Sequence, residues 1–191
     1  MNYITYDIET YHPDRLDEFS VSKFRVSVIG VYISWTDQYV AFLEKDVGEF
    51  LKLVKQADLL VGFNHIWFDN AVLAKYADYN LSTDINNYDI MLEFEKKVGH
   101  KIKLDDLAAG TLGRNKTDHF SKFVNYYWDK EWSKLIDYCM NDVKITEELF
   151  RLVLEGKSLS YKDLLAQKEV LLDLPKLVPI QKKESAMDAL M

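Results

Sequence analysis

The sequence predicts an α/β domain built on a mixed sheet. Three β-rich segments joined by short links open the chain. After Leu43 the apolar spacing changes from the period of two of a strand to the 3.6-residue period of a helix, with short apolar runs in between. The length, 191 residues, suits one domain, or one domain and a tail.

The elements follow in order. Tyr3 to Glu9 is rich in aromatic and β-branched residues and predicts the first strand. Thr10 to Lys23 contains Pro13 and many polar residues and predicts a loop. Val26 to Trp35 is a long β-branched run, expected as a central strand. Thr36-Asp37 turns the chain into a third strand, Gln38 to Leu43, completing an antiparallel meander. Val47, Phe50, Leu51 and Val54 keep helical spacing. Asp58 to Phe63 predicts a strand, Phe68 to Tyr76 a helix and Asn86 to Ile90 a last short strand, which makes five. Leu104 to Leu112 predicts a helix stopped by Gly113, and Glu131 to Leu154 the longest helix, ending at Gly156. Beyond it, Glu169 to Leu174 reads either as a strand or as part of a helix from Lys162, and Pro175 and Pro179 end whatever precedes them. The expected organisation is a domain over residues 1–157, an extension packing on it over 158–180, and a flexible tail over 181–191.

Hydrophobic residues make up 48% and charged residues 29%, the balance of a folded soluble chain rather than a disordered one. The net charge of −7 argues against a polybasic binder of nucleic acid or membranes, but leaves room for acids gathered around metal ions. Segment 101–122 is locally positive, with five bases against three acids, and reads either as a phosphate-tracking surface or as a solvated face. The single cysteine, Cys139, excludes an internal disulfide and fits a reducing, intracellular compartment. No apolar run approaches the ~18 residues of a membrane span, and the start lacks the pattern of a signal peptide. No G-x-x-x-x-G-K-[ST] nucleotide-binding pattern occurs.

Three segments carry chemistry. Asp7 and Glu9 stand two apart on a strand, so both carboxylates project from one face. On a central strand such a pair repels itself and loses water, a costly arrangement without cations. The alternative is one acid in solvent at a strand end. Asp69 follows a strand and opens a helix, the junction where α/β sheets gather their sites; alternatively it complements the helix dipole. Asp142 shares a helix face with Tyr138, four residues back; alternatively it is one of many surface acids on that helix.

Taken together and in order, these motifs resemble the DEDD family of 3′→5′ exonucleases, which have the ribonuclease H-like fold. The resemblance rests on Asp7-Ile8-Glu9-Thr10, on Asn64 to Asp69 as N-x-x-x-F-D, and on Tyr138 to Asp142 as Y-x-x-x-D. The Tyr-Cys-x-x-Asp-Val-x-x-Thr pattern through Thr146 extends it, as does Leu104-Asp105-Asp106-Leu107 leading to Leu112-Gly113-Arg114-Asn115-Lys116. It covers roughly residues 2–155. Tyr138 places the chain in the tyrosine-type (DEDDy) subgroup, because the histidine-type subgroup has His five residues before its last Asp, where Asp137 stands here.

The resemblance implies a five-stranded ribonuclease H-like sheet flanked by helices, and a catalytic set of Asp7, Glu9, Asp69, Tyr138 and Asp142. The four acids would hold two divalent ions, Mg²⁺ or Mn²⁺, with Asp7 shared between them. Tyr138 would orient the attacking water rather than deprotonate it. The substrate would be single-stranded or 3′-end DNA or RNA, cleaved to nucleoside monophosphates. Thr10, Asn64, His65 and Phe68 are the candidate substrate contacts. Asn64 alternatively forms only the turn, and Phe68, with Trp67, either stacks on a base or packs in the core. His65 is expected on the substrate side or at the surface rather than on a metal. Asp89 is expected either to support a site residue from behind or to cap a strand end, a structural role. The chain is expected to act as a monomer, with its C-terminal tail available to a protein partner. A non-catalytic nucleic-acid-binding or replication and repair accessory subunit on the same fold is the alternative, as is an endonuclease.

Overall fold

The computed structural model describes residues 1–13, 20–114, 123–163 and 166–179, with backbone only at 123–125. Five strands form one sheet: β1 (Tyr3–Tyr11), β2 (Arg25–Ile33), β3 (Gln38–Leu43), β4 (Leu59–Gly62) and β5 (Asn87–Asp89), in the order β3-β2-β1-β4-β5. The first three strands pair antiparallel; β4 and β5 join β1 in parallel. The sheet is therefore mixed, as its sequence predicts. Helices α1 (Val47–Val54), α2 (Asp69–Leu73), α3 (Ile90–Val98), α4 (Leu104–Leu112), α5 (Phe123–Trp128) and α6 (Trp132–Leu154) follow in order.

Side-chain alternation along β1 sorts the core into two layers. Ile4, Tyr6 and Ile8 pack with Val47, Phe50 and Val54 of α1 and Val72 and Leu73 of α2. Tyr3 packs on the opposite face with Val143, Leu149 and Phe150 of α6 and Leu107 of α4. The acids Asp7 and Glu9 share that second face, toward α6. A register shift between Glu9 and Thr10 lets one extra residue into β2, so Val26 joins the face of Ile29, Val31 and Ile33 despite the change of parity.

Several boundaries differ from expectation. β1 runs two residues past Glu9, because the bulged pairing with β2 continues to Tyr11. α2 stops at Leu73 rather than Tyr76. α3 was not foreseen; the Asp89 side chain caps it, accepting the N–H groups of Met91 and Leu92. The stretch after α6 is neither a helix from Lys162 nor a strand over 169–174. It is a hairpin of β6 (Leu159–Asp163) and β7 (Ala166–Val170). Its Leu159, Tyr161 and Val170 enter the core beside α4 and α6. Beyond the hairpin the Tyr88 hydroxyl donates to the Asp173 carbonyl at 2.7 Å, and the Asn86 side chain exchanges two hydrogen bonds with the Val178 backbone. The expectations for 181–191 and for Lys116 and Lys122 lie outside the described residues. Among the described residues, no helix is long and apolar enough to cross a membrane.

Candidate active site

The site forms where α6 crosses β1 and β2. Gly30 of β2 stands directly opposite Asp7. A Cβ at Gly30 would fall 2.9 Å from Val143 Cγ2 and 3.0 Å from Cys139 Sγ, so only glycine lets the helix lie this close. Cys139 fills the gap: the Gly30 N–H donates to its sulfur at 3.1 Å, and its thiol reaches the Asp7 carbonyl at 3.4 Å. Tyr138 and Asp142, which flank Cys139 on this helix, are thereby delivered to the acids of β1.

Asp69 arrives from the other side. The parallel pairing of β1 with β4 covers only Tyr3, Ile4 and Thr5. Further along β1, the Ile8 N–H donates instead to Asp69 Oδ1 at 3.0 Å. Asp69 thus replaces the missing strand, and its carboxylate is tied to the residue between Asp7 and Glu9.

The turn that carries Asp69 is pinned by a buried polar network. Asp89 accepts the N–H of Asn64 at 2.8 Å and of Ile66 at 3.2 Å. Between them His65 sits on Gly62, where a Cβ would come within 2.7 Å of the imidazole. Asn87 donates its amide to the Leu81 and Ile85 carbonyls, so its oxygen faces His65 Nε2 at 3.0 Å and marks that nitrogen as the protonated one. Nδ1 then faces Asp89 at 3.5 Å, and burial lowers the pKa of the ring. Asn70 also donates to the Asn87 oxygen and accepts from the Tyr6 hydroxyl.

The acids of the three segments lie close enough to act on one another's titration. Burial raises the pKa of the Asp7 carboxyl far above the usual range, and Asp69, Glu9 and Asp142 add to it in that order. Burial does the same to Glu9, followed by Asp142 and Asp69. Asp69 is pushed up to about 8 by burial, against the pull of the Ile8 amide. Asp142 is pushed up to about 7 by burial and then by Asp105 of α4. The Tyr138 phenol is raised by burial, then by Asp142, Glu9 and Asp7. Among the described residues no lysine or arginine pairs with these four acids. Ligand atoms of Asp7, Glu9 and Cys139 lie within 4.8 Å of one another, close enough to hold a metal ion.

The structure therefore brings together Asp7, Glu9, Asp69, Tyr138 and Asp142. The proposed substrate contacts separate. Thr10 is partly exposed just past the bulge. Asn64 has a φ of 62° and forms the turn, its N–H committed to Asp89. His65 is fully buried, contrary to the expected substrate-side or surface position, because its ring fills the space over Gly62. Phe68 packs inward against Phe24, with ring centroids 5.8 Å apart. Sequence reasoning missed Gly30 and Cys139 as the seat of α6, and Asp89 as the clamp of the Asp69 turn. Asp105 was visible only as part of a motif; its nearness to Asp142 comes from the packing of α4 on α6.

A model of the RNase_H superfamily matches residues 4–154 of this chain, from β1 to the last residue of α6. Among solved structures, the family B DNA polymerase from the hyperthermophilic archaeon Pyrobaculum calidifontis is similar, with a TM-score of 0.62 and 20% identity. The likeness covers 80% of this chain and 24% of the polymerase, and at that identity it is one of fold. No curated protein matches the sequence.

Proposed function

The chain belongs to the ribonuclease H superfamily, and from that premise we propose that it is a metal-dependent 3′→5′ exonuclease of the tyrosine type. It hydrolyses phosphodiester bonds at the 3′ ends of DNA or RNA strands and releases nucleoside monophosphates. The observation that carries this reading is the gathering of Glu9 of β1, Asp69 at the start of α2 and Asp142 of α6 around Asp7, with Tyr138 beside Asp142, Glu9 and Asp7.

The donor set fits a hard divalent cation. Loss of water raises the proton affinity of all four carboxylates, and neighbouring acids of the set add to it at Asp7 and Glu9, a cost that cations remove. Burial and the neighbouring acids keep the Cys139 thiol protonated, which leaves oxygen as the donor type. Two ions, Mg²⁺ or Mn²⁺, held by these carboxylates would supply the charge that activates water and stabilises the leaving oxygen. Asp7 feels all three other acids and suits the shared position. Tyr138 stays protonated at neutral pH, so it orients the attacking water as a hydrogen-bond partner and is not the base.

The test uses 5′-labelled single-stranded DNA and RNA oligomers with Mg²⁺ or Mn²⁺. The expected result is a ladder of strands shortened from the 3′ end, absent in Asp7→Ala. Circular strands and strands blocked by a 3′-phosphate should resist; a nicked circle would mark an endonuclease instead. No shortening with either ion, or equal shortening by Asp7→Ala, would sink the proposal.

A further inference from the structure

The turn between β4 and α2 holds one side chain that packing does not explain. Trp67 is 69% exposed, more than any other large apolar side chain among the described residues. A lone exposed aromatic is ordinary on a loose loop, but this turn is rigid. Asp89 holds the N–H groups of Asn64 and Ile66, the Phe68 N–H donates to the Asn64 carbonyl at 3.3 Å, and the Asn70 N–H donates to the His65 carbonyl at 2.8 Å. His65 and Asp69, two residues to either side of Trp67, are both buried. The backbone is fixed and the flanking residues point inward, so the indole is set in the open.

Its position gives the exposure meaning. Trp67 and Asp69 are two residues apart, so their Cα atoms lie within about 7.6 Å. A strand end held by the acid cluster would lie within reach of this neighbourhood. The chain carries a net charge of −7, and its proposed site is itself acidic, so phosphate contacts alone bind a strand weakly. Stacking on an aromatic face needs no charge and tolerates any base. Phe68, turned toward Phe24, is poorly placed for that role.

We propose that Trp67 is the stacking platform for a base near the 3′ end, so that this site takes single-stranded nucleic acid by its base faces rather than by its sequence. The inference rests on the nuclease reading of the same site.

Steady-state kinetics on 3′-end single strands with Mg²⁺ test it. Trp67→Ala should raise KM about ten-fold with kcat little changed, and Trp67→Tyr should recover most of the loss. Abasic residues placed singly at each of the last three positions supply the control. At one of them the wild type should lose the same ten-fold, and Trp67→Ala should lose nothing more. Binding is read separately by tryptophan emission with Ca²⁺ in place of Mg²⁺: an oligonucleotide should quench the wild type but not Trp67→Tyr. An unchanged KM in Trp67→Ala, or an equal penalty on intact and abasic strands, overturns the proposal. If the wild type shortens no strand, the nuclease reading falls and quenching alone decides. Quenching that disappears in Trp67→Tyr then sustains the platform, and emission indifferent to oligonucleotide removes it.

Discussion

The interface between β1 and α6 has two halves that treat buried acids in opposite ways. Near the start of β1, Glu147 is 1% exposed and fully partnered. It accepts from the Tyr3 hydroxyl at 2.8 Å, the Thr5 hydroxyl at 2.7 Å and Arg151 Nε at 2.6 Å. Burial still raises its pKa, but Arg151, Thr5 and Tyr3 all pull it back. A few residues along the same strand and helix, Asp7, Glu9 and Asp142 meet with no basic partner among the described residues; Glu9 and Asp142 raise the proton affinity of Asp7, and Asp142 that of Glu9. One half spends its polar groups on holding strand to helix. The other leaves charge uncompensated, which is unfavourable for folding and suited to cations.

The sharpest way to break this contrast is to neutralise one acid in each half. On the proposed two-ion site, Asp7→Asn should abolish strand shortening, by about 10³-fold or more, since a ligand shared by both ions would supply several kcal/mol of charge stabilisation. The same change should raise the melting temperature of the metal-free protein by a few degrees, about 2–4 °C for each kcal/mol of repulsion relieved. A melting temperature that falls in Asp7→Asn would mean that the cluster is a structural network like the other half.

Glu147→Ala should do the reverse. It strands the buried Tyr3 and Thr5 hydroxyls, while Arg151, half exposed, turns to water. A loss of about 2–4 kcal/mol is expected, seen as a lower urea midpoint that added Mg²⁺ leaves in place. The turnover of the fraction still folded should stay near the wild-type value. A midpoint within error of the wild type would show that the closed network holds nothing.

Gly30→Ala tests the seam between the halves. The added methyl meets Val143 and Cys139, so α6 must shift by tenths of an ångström. Overpacking of this kind costs about 1–3 kcal/mol. The displaced Tyr138 and Asp142 should slow cleavage by about ten-fold, with metal affinity weakened in parallel. Stability and rate should fall together here, unlike in either single-half variant.

The acids were legible because their chemistry is local. Two carboxylates spaced by two on an apolar strand share a face wherever that strand lies, and Tyr138 and Asp142 share a helix face by their spacing alone. What brings the segments together was not legible. Gly30 in an apolar strand announces no helix above it, and Cys139 looks like any small core residue. The hairpin after α6 was missed for a related reason. Residues Ala166 to Glu169 are exposed and show no strand alternation, because backbone pairing with β6 holds them rather than burial. α3 was missed although its ends are marked, since Asp89 caps it and Gly99, with a φ of 86°, ends it. His65 was misread because a polar residue beside a proposed site suggests exposure, whereas its packing depends on the missing side chain of Gly62.

The smallest effect, and the most specific to the open half, is the dependence of metal-free stability on pH. Asp69 is held at about 8 and Asp142 at about 7, against an ordinary value of 3.8, and Asp7 and Glu9 are displaced in the same direction. Groups with raised folded-state values bind more protons folded than unfolded. Their contribution is therefore present at low pH and lost as pH climbs through the folded values. His65 runs the other way, because burial lowers its pKa and its contribution is lost as pH falls below about 6.5. Melting should therefore be compared between pH 6.5 and 8.5, above the histidine window. There the metal-free protein should lose a few degrees as pH rises, and Asp69→Asn should flatten that slope. Saturating Mg²⁺ should flatten or reverse it, since cations bind the ionised carboxylates and compete with protons. A metal-free slope of zero, or one that Asp69→Asn leaves intact, would place the titration elsewhere in the molecule and remove the electrostatic distinction between the two halves.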